Sequence, residues 1–199
     1  DALLSEHGTS LQIAIDLGDI DTVELLLSRG ASIDIEYTSA LHNAVVNNRI
    51  DIAKLLLEYG ADIDNADNYG NTALHLAAMN GHYDMVKLLV ERSGNTKREN
   101  DREMLPLCEA VNENKIDVVE LLLSKDSYVR YNFSINRTPL HIAASNGSDE
   151  IVKLLINHGF DVNTLEGTVA NRYSSDRDQR GTSVLHYAVT KCTIDMVKY

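Results

Sequence analysis

The sequence predicts an all-α solenoid: helix–turn–helix units stacked side by side, with β-hairpin or loop fingers joining them. Three observations predict it. A segment of the general form x-L-H-x-A recurs around Leu11, Leu41, Leu74, Leu107, Leu140 and Leu185, at spacings of 30, 33, 33, 33 and 45. An apolar triplet follows each of the first five leucines at a constant offset, and glycine or asparagine stands seven residues after the leucine in five of the six segments. A period between about 20 and 50 residues is the mark of a repeat array.

Each element of the unit has a physical reason. The leucine opens a first helix, with starts expected near residues 10, 40, 73, 106, 139 and 184. Seven residues on stand Gly18, Asn48, Gly81, Asn114 and Gly147, the residue types that tolerate a left-handed backbone, so the helix ends there in a tight turn. Cys192 takes that place in the sixth unit. A carboxylate then opens the second helix, as Asp21, Asp51, Asp84, Asp117, Glu150 and Asp195, where negative charge complements the helix dipole. The triplets Leu25–Leu27, Leu55–Leu57, Leu88–Val90, Leu121–Leu123 and Leu154–Ile156 follow. One helix pair this short cannot bury such a face alone, whereas stacking presents each triplet to its neighbour.

These residues resemble the ankyrin repeat, G-x-T-P-L-H-x-A-A-x-x-G-H closing with L-L-L-x-x-G-A-D-V-N. The third unit, Gly70-Asn71-Thr72-Ala73-Leu74-His75-Leu76-Ala77-Ala78-Met79-Asn80-Gly81-His82, departs at Ala73 alone, and the fifth supplies Thr138-Pro139-Leu140-His141 and Asp161-Val162-Asn163. The resemblance implies one domain over 1–199, with units at about 8–37, 38–69, 70–102, 103–135 and 136–163, a truncated sixth at 178–199, and an inserted loop at 164–177. It also implies that His42, His75, His141 and His186 hydrogen-bond to Ser39, Thr72, Thr138 and Ser183, which makes them structural residues and not metal ligands.

The departures from the pattern are as informative. The first finger, between Gly30 and Leu41, is three residues short and is expected to be stunted. In the fourth unit Leu105-Pro106-Leu107-Cys108 lacks the hydroxyl and imidazole, so that helix start is weaker or is repaired from elsewhere. Asp126 takes a closing glycine's place, and Tyr128, Tyr131 and Phe133 suggest an irregular, aromatic-anchored finger. The 164–177 insertion is polar and aperiodic; it is either a second binding element carrying Arg172 and Tyr173 or a solvated loop, which costs little closure entropy. Both ends read as cut within a repeat.

Composition narrows the function classes. A formal charge of -12 repels phosphate, so nucleic acid is not an expected partner and a basic protein is electrostatically favoured. No apolar run approaches a membrane span, and the N-terminus lacks a signal-peptide profile. Two distant cysteines, Cys108 and Cys192, point to a reducing, cytoplasmic setting. The acceptor patterns at Asn132, Asn136 and Asn146 are of the kind an asparagine-rich chain contains by chance. Asp62, Asp64 and Asp67 lack the glycine placement and distal glutamate of a calcium loop. No nucleophile elbow, phosphate-binding glycine loop or dinucleotide motif occurs. We therefore expect no metal, no cofactor and no enzyme activity.

What remains is a scaffold that binds another protein. By resemblance, the contact positions lie in the fingers and just before the turn residue: Asn68, Tyr69, Asn71, Met79 and Asn80 in the third unit; Val46 and Asn47 before it; and Met104, Asn112, Glu113, Arg137, Ser145 and Asn146 after it. Arg172 and Tyr173 join them from the insertion. Alternatives of another class are the array of a channel or toxin, and the targeting arm of a larger enzyme or pathogen effector. Truncating a central triplet residue, as Leu89→Ala or Leu122→Ala, is expected to cost about 2–5 kcal/mol in urea unfolding; an unchanged midpoint would place these leucines outside the core.

Overall fold

The computed structural model describes residues 9–35, 38–125 and 138–164. In chain order these form α1 (Ser10–Leu17), α2 (Ile20–Ser28), strands β1 (Asp34–Ile35) and β2 (Thr38–Ser39), α3 (Ala40–Val46), α4 (Ile50–Glu58), α5 (Ala73–Asn80), α6 (Tyr83–Glu91), α7 (Pro106–Asn112), α8 (Ile116–Lys125), α9 (Pro139–Asn146) and α10 (Asp149–Asn157). First helices thus start at 10, 40, 73, 106 and 139, as the leucine spacing predicts. The start expected near 184, Asp126 with the aromatic finger after it, and the insertion beyond residue 164 lie outside the described residues.

One turn repeats through the stack. Gly18, Gly81 and Gly147 adopt φ of 75°, 74° and 72°, and Asn48 and Asn114 take the same left-handed backbone at 52° and 55°. That bend lets the following amide reach back to an alanine carbonyl: Asp19 to Ala14, Arg49 to Ala44, His82 to Ala77, Lys115 to Ala110 and Ser148 to Ala143, all between 2.8 and 3.0 Å. Each first helix is thereby closed without leaving its last carbonyls bare. The expected carboxylates then stand in the first turns of α2, α4, α6, α8 and α10.

First helices pack in one row, α1, α3, α5, α7 and α9, and second helices in another behind it. Leu56, Leu89, Leu122 and Leu155, the central triplet residues, are fully buried. The first unit departs from expectation: Leu25 is 54% exposed, because no described helix pair precedes α2 to cover it, whereas its counterparts Leu88 and Leu121 are 9% and 8% exposed.

The Thr–His start of α5 is a closed arrangement. The Thr72 amide donates to His75 Nδ1 (3.1 Å), the Thr72 hydroxyl lies 2.9 Å from the same nitrogen, and Nε2 lies 3.0 Å from the Met104 carbonyl of the next unit. Since Nδ1 accepts from an amide, the proton sits on Nε2 and is donated across the repeat boundary. Thr138 and His141 repeat the local part at 2.9 Å. The expected Ser39–His42 bond does not form. The Ser39 hydroxyl instead accepts from the Leu41 amide at 3.2 Å, and His42 Nε2 is buried without a hydrogen-bond partner. A serine two residues from that amide turns inward onto its own helix start.

Burial holds His75 neutral, lowering its pKa from 6.5 to about 4. Its folded pKa lies below its unfolded value, so the unfolded chain takes up the proton first. This contribution to stability is complete above about pH 6.5 and is lost as the pH falls toward 4. We expect about 2 kcal/mol from this group to be gone by pH 5. Urea unfolding at pH 7 and pH 5 should show a steeper loss for the native chain than for His75→Asn; equal losses would contradict the assignment.

A concave groove bounded by fingers

The finger between α4 and α5 is built by one carboxylate. Asp67 Oδ1 accepts the amides of Tyr69 and Asn71, both at 2.8 Å, and Oδ2 accepts the Asn71 side-chain amide at 3.1 Å. A bridge between Ala66 and Thr72 closes the finger, and β1 and β2 form its counterpart one unit earlier, pairing Asp34 with Ser39. Gly70 has φ of +72°, and a β-carbon there would lie 2.5 Å from Asp101 Oδ1 and 2.7 Å from its amide nitrogen. Only glycine permits that approach, which lets the Asp101 amide donate to the Tyr69 carbonyl (3.0 Å) and ties one finger to the next. Tyr69 is left 72% exposed at the edge of the groove.

Between this finger and α3 lies a cleft of about 300 Å³, lined by Gln12, Ser39, His42, Asn43, Val46, Asp67, Asn68, Tyr69 and Leu76. Beside it runs a row of side-chain amides. Asn43 and Asn47 both donate to Asp16 Oδ1, at 2.8 and 3.1 Å. Asn80 donates to the Leu76 carbonyl (2.8 Å), Asn112 to Glu113 Oε1 (3.0 Å), and Asn146 to the Asn112 carbonyl (3.1 Å). Asn80, Asn112, Glu113 and Asn146 are exposed, while Met79 and Ser145 are half-buried, the Ser145 hydroxyl donating to Ile142 (2.8 Å). Most of the expected contact residues therefore share one face, and Asn68 and Tyr69 join them from the finger.

Two of the expected contacts are corrected. Asn71 is only 5% exposed, because its carbonyl oxygen accepts from the buried Asn100 amide at 2.8 Å. The Met104 side chain packs against the core, its amide donates to Asn100 Oδ1 (3.0 Å), and its carbonyl meets His75. Both belong to a polar network that repairs the fourth unit. Asn100 also donates to Glu109 Oε1 (2.8 Å), and Arg102 reaches the same oxygen at 2.6 Å. The Glu109 side chain is 1% exposed against 60% for Arg102. Cys108, in the histidine's place, is buried, and burial pushes its thiol up to about 12, so it is an inert packing residue. Glu109 follows Cys108 at the repeat position held by Leu76 and Ile142, and a carboxylate between these two apolar residues was the available signal for the network. Arg137, Arg172 and Tyr173 lie outside the described residues.

Among the described residues no cluster of three or more metal-ligating side chains occurs. The acidic residues of this finger serve its backbone instead: Asp62 accepts from the Asp64 amide (3.0 Å) and Asp64 from the Asn95 amide (2.9 Å).

Comparison with known proteins agrees with this architecture. The family model for ankyrin repeats (3 copies) matches residues 11–101, 41–132 and 107–199. A stretch of 72 residues is 38% identical to an ankyrin repeat protein of fowlpox virus (strain NVSL), covering 34% of this chain and 16% of that protein. The crystal structure of the ankyrin repeat domain of Bcl-3, a member of the IkappaB protein family, matches with a TM-score of 0.77 at 28% identity, covering 92% of this chain and 81% of that one.

Removing the buried carboxylate strands its donors. Glu109→Ala is expected to cost about 1–3 kcal/mol, since it leaves Asn100 with one partner fewer and opens a cavity. Glu109→Leu, the residue type of the third unit, should cost less than half as much. A leucine variant as unstable as the alanine one in urea unfolding would show that the hydrogen bonds, and not the filled space, carry the stabilisation.

Proposed function

The chain belongs to the ankyrin-repeat family, and from that premise we propose that it is a non-catalytic recognition module holding a partner polypeptide in its concave groove. Ankyrin repeats are generally protein–protein interaction modules. The observation that carries the reading here is the shared face of Asn68, Tyr69, Met79, Asn80, Asn112, Glu113 and Asn146. Met79 and Asn112, and next to them Asn80, Glu113 and Asn146, recur at two adjacent phases of the repeat, while the triplets, the Thr–His starts and Asn71 are committed to holding the stack together. Tyrosine and methionine bury large area and serve as anchors, and the amides around them supply directed hydrogen bonds.

The charge of -12 supports a basic partner, whose association should slow as salt rises. No described helix is long and apolar enough to cross a membrane. The free cysteine is consistent with a reducing, cytoplasmic setting. The curated relative is about six times longer than the stretch it shares with this chain. Such a module would act as the targeting arm of a larger polypeptide.

A partner captured from host-cell extract and identified by mass spectrometry gives the test. Tyr69→Ala and Met79→Ala should each weaken its binding by roughly 1–3 kcal/mol by calorimetry, with the helical circular dichroism unchanged. If neither variant changes affinity while deletion of 164–177 abolishes it, the groove reading fails, and Arg172 and Tyr173 mark the site instead.

A further inference from the structure

The cleft between α3 and the third unit's finger has a chemistry of its own. We propose that it is the socket for an arginine side chain of the bound polypeptide, an inference that rests on the groove reading above. Its apolar lining is Val46, Leu76 and the exposed ring of Tyr69. The Asp67 carboxylate and the side-chain amides of Gln12 and Asn68 also line it, and neither amide is hydrogen-bonded among the described residues. Asp67 uses its oxygens on its own finger, yet a carboxylate has about four acceptor sites and three are taken. The lining contains no lysine or arginine, and His42, held neutral by burial, adds no positive charge.

A carboxylate and amide oxygens beside apolar side chains and a flat ring fit a guanidinium better than any other side chain. Its methylene stem lies along Val46 and Leu76, its plane stacks on Tyr69, and its five donors reach the carboxylate and amide oxygens. A lysine ammonium matches the charge, but it is compact and strongly hydrated and forfeits the stacking. A carboxylate ligand would face Asp67, with Asp16 behind Asn43 (2.8 Å). An aliphatic side chain would cover the acceptors without satisfying them. The volume, about 300 Å³, is at the small end for ligand pockets and suits one long side chain with part of its backbone.

The test titrates the isotope-labelled 199-residue chain with short glycine–serine peptides carrying one arginine, lysine, leucine or glutamate. We expect the arginine peptide to shift the resonances of Val46, Asn68, Tyr69 and Leu76 saturably, with lysine weaker, leucine weaker still and glutamate silent. Tyr69→Ala should weaken the arginine peptide roughly twofold to fivefold while Tyr69→Phe does not, and added salt should weaken it further. Leucine binding as tightly as arginine, arginine shifts outside the cleft, or no saturable shift would each overturn the proposal. If the captured partner still depends on Tyr69 and Met79 while the arginine peptide fails, the socket falls and the groove stands. If the peptide binds but the partner ignores both residues, the groove reading falls.

Discussion

Burial between neighbouring units is the interaction on which everything else here depends. None of the described helices exceeds 10 residues, a length at which an isolated helix is marginal in water even with favourable residues. Each pair is stable because packing against its neighbours covers Leu56, Leu89, Leu122 or Leu155, and each pair is closed by the same left-handed turn. A stack of this kind adds its stability unit by unit, so its edges are its weak places.

That constraint sorts side chains into those that hold the stack and those that are free. The histidines show how local the sorting is. His75 bridges two units through the Met104 carbonyl, while His42, one unit earlier with serine for threonine, does not make the local bond at all. The fourth unit, lacking the histidine, is held by Asn100 and Glu109. A carboxylate buried this deeply is stabilising only if its donors are well placed, and Arg102, mostly in water, contributes to that without being buried itself.

Much of this was legible in the sequence, and what was missed has one cause. Leucine spacing located the first five helix starts because an interval of 33 residues admits little else. Asn48 and Asn114 were legible as turn residues because asparagine is the commonest substitute for glycine at positive φ. Asn71 and Met104 were misplaced on the surface because finger positions were read as free by their phase in the repeat. Whether a finger residue is free depends on the following finger, and here Asn100 sits over it. Such burial comes from residues about 30 positions away, and a pattern within one unit does not contain it. The inconsistent residue, Glu109 between Leu76 and Ile142 in the series, was visible but pointed to no partner until Asn100 was placed beside it.

The cleft beneath Tyr69 lies where the second unit departs from the repeat. Asn43 stands where the third and fifth units have Leu76 and Ile142, and its amide turns to Asp16 instead of filling space. Ser39 turns onto its own helix, and the shortened first finger pairs Asp34 with Ser39 below the cleft. A regular stack presents much the same surface at every unit, so it distinguishes partners poorly. Selectivity must come from departures that leave the inter-unit burial intact. Unit two meets that condition: Leu41, Ala44, Val45, Ile52, Ala53 and Leu56 stay buried, while the changed residues line the groove. In the fourth unit the departures face inward and are absorbed by a buried network; in the second they face outward and leave a space. The first kind of departure preserves the fold, and the second gives this stack a cleft lined by the departing residues Ser39 and Asn43.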